Sequence, residues 1–72
     1  MNAELAQIAA DVLGLTSSEV SPDLAREADD RWDSFNHLRL ITAVEEAFSI
    51  QFTMEQIEEV KSLGDIDAIV AG

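Results

Sequence analysis

Residues 31–48 read Arg31-Trp32-Asp33-Ser34-Phe35-Asn36-His37-Leu38-Arg39-Leu40-Ile41-Thr42-Ala43-Val44-Glu45-Glu46-Ala47-Phe48. From Phe35 onward Leu38, Ile41, Val44 and Phe48, with Leu40, Ala43 and Ala47 beside them, recur at spacings of three and four, the mark of an amphipathic helix. Ser34 therefore stands at or next to the first helical residue. There the backbone N–H groups lack intrahelical partners and the helix dipole presents its positive end, so a phosphate ester on the hydroxyl would sit in a favourable field. Asp and Ser are also preferred N-caps, and on this stretch alone capping is the favoured role for Asp33 or Ser34.

Working outward toward the N-terminus, Leu5, Ile8, Ala9, Val12 and Leu13 follow the helical repeat and predict a first helix ended by Gly14, with Leu15 supplying the hydrophobic contact of a left-handed C-cap. Between Leu15 and Asp33 the pattern breaks. So long a stretch in a small domain implies a functional loop or a short helix that periodicity does not locate, with Val20 and Leu24 as anchors. Toward the C-terminus, Ile50 and Phe52 alternate with polar residues over too short a run for a strand. Thr53 with Gln56, and Ser62 with Asp65, have capping-box spacing and predict two further short helices. Each needs the first two helices for support. The expected fold is all-α: one domain over residues 1–72, a small four-helix bundle of three longer helices and one short, with a long loop between helices 1 and 2. Leu40, Ile41, Val44, Met54, Ile57, Val60 and Leu63 are its expected core.

Composition narrows the function. Four basic residues against fifteen acidic ones give a formal charge of −11, which argues against binding nucleic acid or an anionic membrane surface. It suits a protein that meets basic patches on partners, or one that is acidic for solubility. No apolar run approaches membrane-spanning length and the N-terminus lacks the features of a secretory signal, so the expected compartment is the cytoplasm. There is no cysteine, hence no disulfide and no Cys-based metal site, and any thioester sulfur would have to come from an attached group.

Three features near Ser34 invite other readings. Asp29, Asp30 and Asp33 are acidic neighbours, but the glycine and distal glutamate of a calcium loop are missing, and no resident metal is expected. Trp32 is placed to fold back on the first turn near His37 or Leu38 and fix the chain's entry into the helix. His37, three residues after Ser34, resembles a base beside a nucleophile. A Ser–His catalyst also needs an orienting group, an oxyanion hole and a cleft, so a His37 packed at the edge of the core is preferred.

The stretch from Trp32 to Val70 resembles the acyl carrier protein family. Asp33-Ser34-Phe35 matches the family's Asp-Ser-Leu motif, and Leu38, Leu40, Ala43, Val44, Glu45-Glu46 and Phe48 follow its second-helix pattern. The resemblance implies that Ser34 carries 4′-phosphopantetheine, delivered from coenzyme A by a phosphopantetheinyl transferase with transient Mg²⁺, and that Asp33 is connected with that step. It also implies a long first loop, no catalysis by the chain itself, and acyl-loading and acyl-processing enzymes as partners of a stand-alone monomer in fatty acid, polyketide or specialised lipid biosynthesis. The partner-facing residues would be Phe35, Asn36, Arg39, Glu45 and Glu46. Asn36 and Arg39 depart from the strongly acidic face usual in the family, which favours different partners. A peptidyl carrier is the close alternative, but Trp32 stands where its motif has glycine. A cofactor-free acidic helical interaction module is the alternative of another class.

Overall fold

Four α-helices carry the chain in the computed structural model, which describes all 72 residues. They are α1 (Ala3–Leu13), α2 (Ser34–Phe48), α3 (Met54–Glu59) and α4 (Leu63–Ala71), with one 3₁₀ turn at Ser17–Glu19. The lengths of 11, 15, 6 and 9 residues are the expected three longer helices and one short.

Each helix begins where a side chain accepts from its free amides, and α1, α2 and α3 end where the backbone N–H of the capping residue donates back into the last turn. The Asn2 carboxamide oxygen accepts from the amides of Glu4 and Leu5 at 2.8 and 3.1 Å, starting α1. Gly14 ends it at φ +68°. The Gly14 and Leu15 amides both donate to the Ala10 carbonyl, and Leu15 turns into the core as a C-cap contact should. Both capping boxes form: Thr53 with Gln56 opens α3, and Ser62 with Asp65 opens α4.

Leu5, Ala9 and Leu13 of α1 meet Leu40, Ile41 and Val44 of α2, and Val60, Leu63 and Ile66 close the core from the C-terminal half. Trp32 and Phe52 complete it from the segments flanking α2. Of the expected core, Met54 lies outside, 74% exposed, and Leu38, which belongs to the apolar stripe read from the sequence of α2, is 57% exposed. The buried stripe of α2 is His37, Leu40, Ile41 and Val44, rotated from the one hydropathy suggests because a histidine occupies the inner position of the first turn. Met54 is the first residue of α3 and projects beyond the bundle; Ile57 is half-buried.

The long loop between α1 and α2 is tied down by backbone. Its only helical turn is Ser17–Glu19, and Val20 and Leu24 pack partly buried against the core, as anchors should. Farther on, the Arg26 amide donates to the Lys61 carbonyl at 2.8 Å, while the Leu24 and Pro22 carbonyls accept from Leu63 and Gly64 at 3.1 and 2.9 Å. A Cβ on Gly64 would lie 3.1 Å from that Pro22 oxygen, so glycine lets the two backbones approach. The loop's last third is held by Arg31, whose guanidinium pairs with Glu19 and Asp29, each at 2.8 Å. These contacts hold the Glu19 and Asp29 carboxyls down at about 2, the Arg31 hydrogen bond being the largest cause in each.

Candidate functional site

The arrangement that delivers Ser34 starts at Trp32. Its indole is almost wholly buried, and Nε1 donates to His37 Nδ1 at 3.0 Å. An indole N–H can only donate, so Nδ1 holds the lone pair and the imidazole proton sits on Nε2, which donates to the Ile57 carbonyl at 2.8 Å. One side chain thus links the entry to α2, its first turn, and α3. With Trp32 drawn inward, the next residue turns outward: Asp33 is the N-cap, and its carboxylate accepts the Asn36 amide at 2.8 Å. Ser34 follows as the first helical residue, exposed to solvent.

This geometry removes the Ser–His catalyst. Both nitrogens of His37 are committed and the ring is 1% exposed, leaving no lone pair for a serine on the surface. Burial pushes the imidazole pKa below its ordinary value; the Ile57 hydrogen bond opposes this and the Arg26 charge adds to it. Protonation would also bring a second N–H against the Trp32 N–H. The depressed pKa means that the unfolded chain takes up the proton first as pH falls. Stability is therefore full above the unfolded value of about 6.5 and declines below it. Urea titrations between pH 7.5 and 5.5 should show a falling midpoint, and His37→Gln, less stable throughout, should lose most of that slope. Glu19 and Asp29 add little in this window, since their contribution is lost only as pH falls below the unfolded values of 4.5 and 3.8.

Around Ser34, the amides of Ser34 and Phe35 have no partner in the chain, whereas the next two are taken by the Asp33 side chain and carbonyl. Two free N–H groups, the positive end of a 15-residue helix and an exposed hydroxyl fit a phosphodiester on Ser34. Asp33 caps the helix from the backbone side and leaves that hydroxyl unencumbered. No group of three His, Asp or Glu side chains converges in a way that could hold an ion.

The chain matches the family described as the phosphopantetheine attachment site over residues 3–68. It belongs to that family. Among relatives, it is 32% identical to an acyl carrier protein of Rubrobacter xylanophilus over 68 residues, 93% of this chain and 84% of the relative. It is 37% identical to an acyl carrier protein of Clostridium acetobutylicum over 59 residues, 82% and 77% of the two chains. A third, from Acidothermus cellulolyticus, is 30% identical over 61 residues, covering 85% and 73%. The acyl carrier protein family is a family of carriers, not enzymes, bearing 4′-phosphopantetheine covalently and serving enzymes of acyl metabolism. The match replaces the cofactor-free interaction module as a reading of this chain.

The residues expected to face partners separate in the structure. Phe35 is 71% exposed, and Arg39 and Glu46 are exposed with it along α2. Asn36 is half-buried and bridges, its amide nitrogen donating to the Arg31 carbonyl and its oxygen accepting from Arg39. Glu45 is turned toward the following loop, where its carboxylate accepts the Phe52 amide at 2.7 Å. Thr42 and Ala43 lie on the same outward arc of the helical projection, whereas nothing in the sequence placed Val12 or Leu38 there. Together with Phe35, Arg39 and Glu46 these four line a surface groove of about 440 Å³ that runs along α2 from Phe35 to Glu46. No helix is long and apolar enough to cross a membrane.

Proposed function

We propose that the chain is a stand-alone acyl carrier protein whose Ser34 hydroxyl bears the prosthetic group. The observation that supports this most directly is the exposed serine at the first position of α2, capped by Asp33 and flanked by two unpartnered amides. When bound, 4′-phosphopantetheine supplies a thiol on which acyl groups are held as thioesters. The chain contributes the rest by position. In a transferase that brings the base and Mg²⁺, the Ser34 oxygen gives up its proton to that base and bonds to the pantetheine-side phosphorus of coenzyme A. The pyrophosphate bond breaks, adenosine 3′,5′-bisphosphate leaves, and the helix terminus stabilises the charge of the phosphodiester on Ser34. Asp33 fixes the first turn, so the attachment point enters each partner active site in one orientation. Tethering then replaces diffusion, raising the local concentration of substrate at acyl-loading and acyl-processing enzymes.

Acyl rather than aminoacyl cargo is supported by Trp32 in place of the glycine of peptidyl carriers and by the names of the relatives. The cargo reading covers fatty acid, polyketide and specialised lipid biosynthesis. Net charge of −11 supports a monomer through self-repulsion, and the proposed compartment is the cytoplasm.

Because the chain has no cysteine, any thiol it carries reports the prosthetic group. Chain produced alongside a phosphopantetheinyl transferase should titrate with a disulfide reagent as one thiol per molecule, and Ser34→Ala as none. A thiol retained in a folded Ser34→Ala chain would assign the attachment elsewhere.

A further inference from the structure

We propose that Arg39 determines partner specificity on the α2 face, selecting a protein that sets a carboxylate against it and an apolar side chain into the adjoining groove. The inference rests on the carrier reading above and adds the chemistry of the partner. Among fifteen acidic residues, Arg39 makes no ion pair: both ion pairs of the chain belong to Arg31. It is held instead by neutral groups. Its Nη1 donates to Asn36 Oδ1 at 2.9 Å, and the guanidinium carbon lies 5.8 Å from the centroid of the Phe35 ring. Asn36 cannot readily turn over, because its Nδ2 donates to the Arg31 carbonyl at 2.8 Å.

The guanidinium is therefore positioned in advance with its charge uncompensated and N–H donors to spare, the condition for receiving a carboxylate by paired hydrogen bonds. Prior ordering of so long a side chain removes part of the entropy lost on docking. Beside it Phe35 and Leu38, 71% and 57% exposed, form the apolar wall of the groove. Glu46 closes the far end, seven residues on and about 10 Å along the axis at 1.5 Å per residue. The groove is thus cationic near Ser34 and anionic away from it. A matching partner presents a carboxylate at the first end and a neutral or basic group at the second, and that polarity sets which way the carrier lies. A second copy of the chain is a poor occupant, since it would bring a further −11 against −11.

The test is steady-state phosphopantetheinylation of the parent chain, Arg39→Gln and Arg39→Glu, each checked for native helicity by circular dichroism. Two probes are used: a broad-specificity transferase with a basic docking face, and the same enzyme with the Lys and Arg residues of that face changed to Glu. With the basic enzyme, Arg39→Glu should exceed the parent by about tenfold in kcat/KM, through KM and more strongly at low salt, with Arg39→Gln between. With the acidic enzyme the order should reverse. The same order with both enzymes, or no dependence on residue 39, overturns the inference while leaving the carrier reading standing. Failure to modify any chain overturns the carrier reading itself. A dimer in sedimentation that Leu38→Asp dissociates would assign the groove to a second copy and overturn the proposal.

Discussion

Trp32→Ala is expected to lower folding stability by about 3–5 kcal/mol, the range for removing a large aromatic from a packed core. A 72-residue domain has roughly 4–11 kcal/mol in total, so the loss takes a large share of it, and at the lower end of that range the variant is largely unfolded at room temperature. Two effects combine: an indole 2% exposed leaves a cavity, and His37 Nδ1 loses its donor in a place water does not reach. Trp32→Phe separates them. It keeps most of the volume and strands the histidine, so it should cost about 1–3 kcal/mol. Urea denaturation followed by far-ultraviolet circular dichroism checks both, since the only tryptophan is the one removed. An unchanged midpoint in Trp32→Ala would mean that the indole is not seated in the core.

Leu40→Ala and Leu38→Ala should differ sharply although they sit two residues apart on α2. Leu40 is fully buried between α1 and α2, and its truncation should cost about 2–5 kcal/mol. Leu38 is mostly exposed, and its truncation should stay within about 0.5 kcal/mol. Midpoints from the same denaturation experiment decide between them. Equal losses would restore the stripe that hydropathy alone assigns to this helix.

That pair of leucines shows where the sequence was readable and where it was not. The helices were legible because their boundaries are set locally: Gly14 at the end of α1, Asp33 before α2, and the Thr53–Gln56 and Ser62–Asp65 boxes act within a few residues of themselves. On the buried face of α2, Leu40, Ile41 and Val44 were legible, and so was His37 at its edge; the outward turn of Leu38 was not, because a period of three and four admits both Leu38 and His37 and a hydropathy ranking prefers leucine. His37 takes the inner place only because Trp32 and the Ile57 carbonyl satisfy its two nitrogens, and Ile57 lies 20 residues away. The same holds for Glu45, whose carboxylate is drawn off the outward face by the Phe52 amide beyond the helix end. The loop hid its order for a related reason. Its backbone bonds run to Lys61, Leu63 and Gly64, across half the chain, and leave no periodic trace.

Ser34 was legible as a candidate because its signal is local. A serine after an aspartate at the start of an amphipathic helix is a cap in most settings; the resemblance of Asp33-Ser34-Phe35 to the family motif is what points it toward phosphopantetheine, and the family match over residues 3–68 supports that proposal. The groove beside it was partly legible: Phe35, Arg39 and Glu46 were assigned outward, but its apolar wall required knowing that Leu38 faces out.

The most direct test is the intact mass of the purified apo chain before and after incubation with coenzyme A, Mg²⁺ and a broad-specificity phosphopantetheinyl transferase, with Ser34→Ala in parallel. The parent should gain the mass of one phosphopantetheine, and Ser34→Ala, matched to it in circular dichroism and urea midpoint, should gain nothing. An identical gain in both chains, or none in a folded parent with several such transferases, would contradict this and leave Ser34 as part of a helix cap.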